Sequence, residues 1–204
     1  MDLFERVDKE PRNLLPHDGV VQYYGPVMAQ GDADRYLAAL QTDIDWRPDE
    51  AVMFGKRIIT KRHVAWYGDA AFPYRYSKTT KTALPWVPVL EALKEVAERV
   101  SGATYNSCLL NLYHDGGEGM AWHSDAEKEL KRGGAIASFS FGAVRKFSFK
   151  HRATKTSISQ ILEHGSLLVM KGETQQHWLH QLPKAKAVQT VRINLTFRTI
   201  DRNV

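Results

Sequence analysis

Two stretches in the first half of the chain repeat their apolar residues with the period of an α-helix. The first is "DADRYLAALQTDI", residues 32–44, and the second is "WVPVLEALKEVAERVSG", residues 86–102. Gly102 is suited to end the second stretch, because glycine readily adopts the left-handed conformation found at helix C-termini. The pattern therefore predicts two amphipathic helices before residue 104.

From residue 105 onward, the pattern changes to short runs rich in Ser, Phe, Val and Ile. The runs are "NSCLLNLY", "AIASFSFG", "VRKFSFKH", "SISQILEHGSLLVM" and "VRINLTFRTI", and turns such as "DGGEG" and "LPK" separate them. This spacing is typical of the strands of an antiparallel sandwich or barrel. We therefore predict one α+β domain over 1–204, in which residues 1–104 lead into a β core at 105–204.

The composition is that of a globular protein, with 43% apolar and 25% charged residues. The sequence has no apolar run of the roughly 18 residues that a membrane span needs, and its N-terminus lacks the apolar centre of a signal peptide. Cys108 is the single cysteine, which excludes an internal disulfide and favours a reducing compartment. The expected location is the cytoplasm of a bacterium or the nucleus of a eukaryote.

Positive charge is concentrated in two segments, although the formal net charge is only +5. Residues 128–155 contain eight Lys or Arg against one acid, and residues 55–66 contain four and no acid. Such segments suit a polyanionic partner such as nucleic acid. A solvated basic face is an equally good interpretation of the charge alone.

The segment "AWHSDAEKEL" places His123 and Asp125 two positions apart. On a strand, side chains at i and i+2 share a face, so this imidazole and carboxylate would lie side by side. Alone, the pair equally fits a surface turn. With a second imidazole, it forms the facial triad of non-haem Fe(II) oxygenases, which leaves positions open for a cosubstrate and O2. The candidates for that imidazole are His164, His177 and His180.

The segment "VRINLTFR", residues 191–198, alternates apolar and polar residues. Its polar face consists of Arg192, Asn194, Thr196 and Arg198. A solvent-facing strand is the ordinary explanation, but two forked guanidinium groups also match the oxygens of a small dicarboxylate. Asn111 and Tyr113 form a similar polar pair in "LLNLY". A dicarboxylate pocket beside a metal triad predicts 2-oxoglutarate, which would chelate the iron.

These motifs make the sequence similar to the AlkB family of Fe(II)/2-oxoglutarate-dependent nucleic-acid dealkylases, and most similar to the branch that repairs duplex DNA. The resemblance extends from about Phe54 to Ile200 and is strongest in "NLYHDGGEGMAWHSDAEKEL", "IASFSFGAVRKFSF" and "HGSLLVMKGETQQHWLHQLP". It implies a double-stranded β-helix, or jelly-roll, core. An N-terminal α/β extension with a nucleotide-recognition lid would precede the core.

The resemblance also implies roles for individual residues. The residues that match the iron ligands are His123, Asp125 and His180. The residues that match the 2-oxoglutarate site are Tyr113, Arg192 and Asn194 at the distal carboxylate, Arg198 and Asn111 near the 1-carboxylate, and Thr196. Glu127 matches the acid that meets the damaged base, where it would accept a hydrogen bond from an exocyclic amine.

In the N-terminal part, "VMFGKRIITKR" is similar to the hairpin that probes the duplex. Phe54, with Met53, would be an apolar wedge that fills the gap left by a flipped base; packing in the core is the alternative. The basic residues expected at phosphates or at the flipped strand are Arg62, Lys56 and Arg57. The aromatic residues expected to enclose the base are Tyr74 and Tyr76 in the lid "WYGDAAFPYRYS", and His177 or Trp178 on the other side.

The implied activity is oxidative dealkylation of DNA bases such as 1-methyladenine and 3-methylcytosine, with Fe(II) as cofactor and 2-oxoglutarate and O2 as cosubstrates. Such lesions weaken base pairing, which lowers the cost of flipping the base. Succinate, CO2 and formaldehyde would be released. The expected protein is a monomer that binds alkylated DNA, duplex or single-stranded, and no membrane. The alternatives are an oxygenase acting on RNA or on a protein side chain, and a non-catalytic nucleic-acid-binding jelly roll.

Overall fold

The computed structural model describes residues 11–53, 56–76 and 79–201. The helices in this part of the chain are α1 (Gln30–Asp43), α2 (Pro88–Ser101) and α3 (Thr174–His177). Its strands are β1 (Val20–Pro26), β2 (Arg47–Met53), β3 (Lys56–Gly68), β4 (Pro73–Tyr76), β5 (Thr79–Thr82), β6 (Ser107–Tyr113), β7 (Met120–His123), β8 (Ile136–Gly142), β9 (Arg145–His151), β10 (Ser157–Leu162), β11 (Ser166–Lys171), β12 (Trp178–Leu182) and β13 (Arg192–Arg198).

Two antiparallel sheets form the centre of the protein. The larger sheet has the strand order β1-β11-β8-β13-β6-β3-β2, and the smaller has the order β10-β9-β12-β7. Apolar side chains of both sheets pack together, and they include Val21, Leu168 and Met170 from the larger sheet and Phe149, Leu162 and Trp178 from the smaller. Because each sheet buries one face against the other, the predicted jelly-roll core is confirmed.

The two longer helices pack against the larger sheet and bury their apolar stripes there. Leu40 of α1 and Leu90 and Leu93 of α2 have no exposed surface. The second helix ends as its sequence predicts, since Gly102 has a φ of 67° and its N–H donates to the Glu98 carbonyl oxygen at 2.9 Å. None of the helices in the described ranges combines the length and apolar character that a bilayer span requires.

The chain before residue 104 also supplies three strands of the larger sheet. At one edge β1 pairs with β11, and at the other edge β2 and β3 form a hairpin whose second strand pairs with β6. The strands β4 and β5 form a separate ribbon. The sequence pattern does not predict β1, because an irregularity between Tyr23 and Gly25 interrupts its alternation.

Candidate active site

A cavity of about 50 Å³ opens between the two sheets. Five strands contribute polar residues to its wall, with β6, β8 and β13 from the larger sheet and β7 and β12 from the smaller. The polar residues that line it include Asn111, Tyr113, His123, Asp125, His180, Arg192, Asn194, Thr196 and Arg198. The fold therefore brings together all nine residues that the sequence predicts as metal or cosubstrate ligands.

A β-bulge aims two residues of β7 into this cavity. His123 lies opposite His180, and Met120 lies opposite Leu182, so three residue steps on β7 match two on β12. The extra residue lets both Met120 and His123 face inward, although strict alternation would turn one of them away. All four side chains line the cavity.

The donor atoms of the triad converge on one point. The two imidazole Nε2 atoms of His123 and His180 are 3.1 Å apart. They lie 3.8 Å and 3.7 Å, respectively, from the Asp125 carboxylate oxygen Oδ1. The interpretation of "HSD" as one strand face is wrong, because β7 ends at His123 and Asp125 lies beyond the strand. The Asp125 N–H instead donates to the Gln175 side-chain oxygen at 2.9 Å, which holds the turn in place.

Two observations favour these imidazoles as metal ligands. His123 Nδ1 lies 2.8 Å from the Ala121 carbonyl oxygen, and a carbonyl only accepts, so the ring proton is on Nδ1 and the Nε2 lone pair is free. Burial lowers the pKa of His180 to about 3, against the opposing effect of Asp125. His180 is therefore neutral at neutral pH.

The carboxylate is held in its charged form. Burial raises the pKa of Asp125, but the positive Arg198 and then the two imidazoles outweigh burial, and the pKa is lowered from its ordinary value. The Arg198 guanidinium lies 3.1 Å from Asp125 Oδ2. Two neutral nitrogens and one anionic oxygen at this spacing fit a divalent transition metal.

The larger sheet contributes a buried cation, Arg192, to the cavity wall. Arg192 is 2% exposed, its guanidinium donates to the Ser140 hydroxyl at 2.9 Å, and its Nε has no acceptor. Within the described residues, no carboxylate contacts it. Burial lowers the pKa of Arg192 to about 10, so it stays charged at neutral pH. Because a buried unpaired charge is costly, this group fits a carboxylate of a bound ligand.

Residues 20–198 match the 2OG-Fe(II) oxygenase superfamily. The chain is 39% identical over 197 residues to DNA oxidative demethylase ALKBH2 of Mus musculus. This alignment covers 91% of this chain and 82% of that protein. The chain belongs to the AlkB family of 2OG-Fe(II) oxygenases. This oxygenase is also 38% identical over 179 residues to alpha-ketoglutarate-dependent dioxygenase alkB homolog 3 of Homo sapiens. That alignment covers 83% of this chain and 62% of that protein.

The fold of the oxygenase is shared with a solved structure. The structure of OsALKBH1 matches it with a TM-score of 0.63 at 16% identity, over 93% of this chain and 100% of that chain. Membership of the family implies Fe(II) as cofactor and 2-oxoglutarate and O2 as cosubstrates. The convergent triad and the buried Arg192 fit the metal and the dicarboxylate.

Three polar residues of the oxygenase site lie outside the sequence prediction. Asn194 donates to the Ser138 hydroxyl at 2.9 Å, Ser140 accepts from Arg192, and Gln175 holds the backbone of Asp125. The two serines alternate with phenylalanines in "SFSF", which is a signal for a polar inner face. No comparable pattern marks Gln175, because its contact joins distant parts of the chain.

A second, larger cavity of about 350 Å³ meets the first at Asp125 and Arg198. Glu127 lines it, and the Arg198 guanidinium lies 3.5 Å from the Glu127 carboxylate. The other basic residues on its wall are Lys128, Lys131 and Arg132. Arg198 therefore contacts a predicted metal ligand and the predicted base-binding acid at the same time.

The other predicted site residues lie in different environments. Arg62 is 8% exposed, pairs with Asp49 and donates to the Met120 sulfur at 3.2 Å. The backbone of Tyr74 and Tyr76 lies in β4, whereas their side chains, those of Met53, Lys56 and Arg57, and all of Phe54 lie outside the described residues. Trp178 has no exposed surface and donates to the His17 carbonyl oxygen, so its interpretation as a base-stacking residue is wrong.

The remaining histidine candidates do not complete the triad. His164 lies in the turn before β11, where its Nδ1 accepts from the Gly142 N–H and its Nε2 contacts Asp34. A second group, His17, Asp18 and His151, also has clustered donors. There, His151 Nδ1 accepts from the Thr154 N–H at 3.1 Å, so the neutral ring carries its proton on Nε2, which faces Asp18. In this arrangement Nε2 offers no lone pair to a metal, and of the two groups only His123, Asp125 and His180 line the cavity with the predicted cosubstrate residues.

Proposed function

We propose that this oxygenase repairs N-alkylated bases in DNA by oxidative dealkylation, with release of formaldehyde and conversion of 2-oxoglutarate to succinate and CO2. The observation that carries the proposal is the convergence of a two-histidine, one-carboxylate triad beside the unpaired Arg192. The chain's relative ALKBH2 is named a DNA oxidative demethylase, which supports DNA as the substrate class.

The protein residues would supply binding, orientation and exclusion of water. His123, Asp125 and His180 would hold Fe(II), which when bound supplies the activation of O2 for hydroxylation of the alkyl carbon. Arg192 would bind the distal carboxylate of 2-oxoglutarate as a forked donor. The apolar side chains that would keep water from the reacting atoms are Leu109, Met120, Phe147, Met170 and Leu182.

A basic surface next to the triad would hold the DNA backbone. The Arg152 guanidinium donates to the hydroxyl of Ser124, which lies between two metal ligands, at 2.7 Å. The Lys150 ammonium lies 4.5 Å from the centre of the Trp122 ring. Glu127, at the wall of the larger cavity, would accept a hydrogen bond from the flipped base. Because phosphate contacts displace counterions, DNA affinity should fall as salt rises.

The first test follows the oligonucleotide and the cosubstrate together. Protein loaded anaerobically with Fe(II) and 2-oxoglutarate is mixed with a 3-methylcytosine oligonucleotide and exposed to air. Mass spectrometry should show loss of one methyl group, with one succinate formed per methyl removed. Succinate without demethylation would reject DNA dealkylation and leave an oxygenase with another substrate, for which methylated RNA and protein side chains are the next assays.

Strand preference needs its own variant, Phe54→Ala. We propose that Phe54 fills the gap left by a flipped base, so Phe54→Ala should lower the demethylation rate on duplex DNA more than on single strands. An equal fall on both substrates would contradict the wedge. We also propose that the oxygenase acts as a monomer, which light scattering of the DNA-bound protein would check.

A further inference from the structure

Two loops at one end of the cavity each join a cosubstrate residue to a metal-bearing strand. The first, residues 114–119, runs from Tyr113 at the end of β6 to β7, which carries His123. The second, residues 183–191, runs from β12, which carries His180, to Arg192 at the start of β13. Strand pairing places Tyr113 opposite Arg192 in the larger sheet and His123 opposite His180 in the smaller, and the two loops link the one pair to the other.

The two loops are bonded directly to each other. The Gly116 N–H donates to the Val188 carbonyl oxygen, and the Ala185 N–H donates to the Gly116 carbonyl oxygen, both at 2.8 Å. A Cβ atom at Gly116 would lie 1.8 Å from the Ala185 carbonyl oxygen. Only glycine allows the backbones to approach this closely, so the junction has no room for a side chain.

Arg145 lies beneath this junction and bonds to both loops. Its guanidinium donates to the Pro183 carbonyl oxygen at 2.7 Å and to the Glu118 carbonyl oxygen at 3.0 Å, and lies 3.5 Å from that of Asp115. Arg145 is 2% exposed, and within the described residues it forms no ion pair with a carboxylate. Lacking such a partner, the buried charge depends on carbonyl dipoles of the two loops for its stabilisation.

We propose that Arg145 is a positioning residue, which fixes the two loops so that the metal ligands and the 2-oxoglutarate residues stand in one geometry. Arg145 does not line the cavity, so it would act only through the loops. The proposal rests on the proposed roles of Tyr113, His123, His180 and Arg192. It predicts that loss of Arg145 weakens metal binding and cosubstrate binding together.

The test compares Arg145→Met, Arg145→Lys and the control Arg99→Met, which removes an exposed arginine from α2. Mn(II) binding to the metal-free protein and the KM for 2-oxoglutarate are measured well below each unfolding temperature. Arg145→Met should weaken both by roughly 10- to 100-fold, the loss typical when the groups that orient metal ligands are removed. Arg145→Lys should recover part of the loss, because it keeps the charge without the fork.

A second variant keeps the test decisive if Arg145→Met does not fold. Gly116→Ala pushes the same loops apart without touching the charge, and it should weaken Mn(II) binding and raise the KM in the same way. Both kinds of variant should also form more succinate per methyl group removed, because a misaligned site uncouples the two reactions.

Failure of the proposed function and failure of the positioning role give different results in this test. If the wild type binds no Mn(II) and forms no succinate, the proposed function fails. If the wild type does both, and the Arg145 and Gly116 variants lower only the unfolding temperature while Mn(II) affinity and KM stay at the wild-type values, Arg145 merely stabilises the fold. The positioning role is then overturned.

Discussion

The two walls of the catalytic cavity differ in how their charges are balanced. On the wall formed by the triad, the Asp125 carboxylate already has the Arg198 guanidinium at 3.1 Å. On the opposite wall, Arg192 is as deeply buried, but only the neutral Ser140 hydroxyl accepts from its terminal nitrogens among the described residues. On the first wall the charge is paired within the protein, whereas on the second wall we propose that a carboxylate of the bound cosubstrate pairs with Arg192.

Because of this difference, residues that bind ligands on the two walls should affect the stability of the folded protein differently. Asp125 and Arg198 stabilise each other in the folded protein whether or not a metal is bound. Arg192 contributes nothing comparable, since burying a cation without an anion destabilises the fold. We therefore expect substitutions on the two walls to change stability in opposite directions, although both lower activity.

The largest effect is expected for Asp125→Ala, which removes a metal ligand and the carboxylate that lies 3.1 Å from the Arg198 guanidinium. Mn(II) affinity should fall by more than about 100-fold, beyond the loss caused by removing the partners of ligands, and succinate formation should stop. Calorimetry measures the Mn(II) affinity, and a succinate assay measures turnover. Asp32→Ala, an exposed α1 substitution, is the control, and retained turnover in Asp125→Ala would reject the metal assignment.

Arg192→Met should raise the KM for 2-oxoglutarate by roughly 10- to 100-fold, because charge-assisted hydrogen bonds contribute about 1.5–3 kcal/mol. The same substitution should raise the unfolding temperature of the 2-oxoglutarate-free protein, since it removes an unpaired buried cation. Added 2-oxoglutarate should then stabilise the wild type more than the variant. A lower unfolding temperature for ligand-free Arg192→Met would contradict the contrast between the walls.

Lowering the pH should destabilise the metal-free protein through the buried residues of the triad. The folded pKa of His180 is about 3 against an ordinary value of 6.5, so as the pH falls below 6.5 the unfolded chain takes up a proton that the folded protein excludes. The free energy of unfolding should fall with pH across this window. Asp125 contributes in the same direction only below its ordinary value of 3.8. Denaturant titrations should show a shallower pH slope for His180→Gln; an unchanged slope would reject the buried neutral imidazole.

The smallest effect is expected for Ser140→Ala. It removes one neutral acceptor from Arg192, so the KM for 2-oxoglutarate should rise roughly 2- to 10-fold at unchanged metal affinity. Ser148→Ala is a matched control, because its hydroxyl is also buried but bonds to the Ser159 hydroxyl at 2.9 Å and does not line the cavity. Equal KM values for Ser140→Ala and the wild type would show that the serine does not orient the guanidinium.

Periodicity predicted the parts of the site that lie inside regular strands. The alternation of "VRINLTFR" places Arg192, Asn194 and Thr196 on one face, and all three line the cavity. It could not predict that this polar face is buried, because burial depends on the second sheet. The prediction of α2 from its amphipathic stripe is also correct, because a helical period depends only on residues close together in the sequence.

Prediction from periodicity failed where the chain leaves its regular period. Asp125 reaches the metal cavity from beyond β7, where the i and i+2 rule no longer applies. Periodicity also does not separate Trp178 from His180, which lie two positions apart on β12 and share a face, yet Trp178 packs in the core and His180 lines the cavity. The resemblance to a known family supplied the choice of His180, because residue types alone left three histidines open.

The bulge in β7 makes the site sensitive to the pairing of the strand as well as to its composition. Three residue steps on β7 oppose two on β12. If the same residues paired regularly, Met120 and His123, three positions apart, would point to opposite faces of the sheet. All three metal-ligand residues would remain in the sequence, but one side chain of this pair would leave the cavity. Residue identity alone therefore does not define the site, because the direction of His123 depends on how β7 pairs with β12.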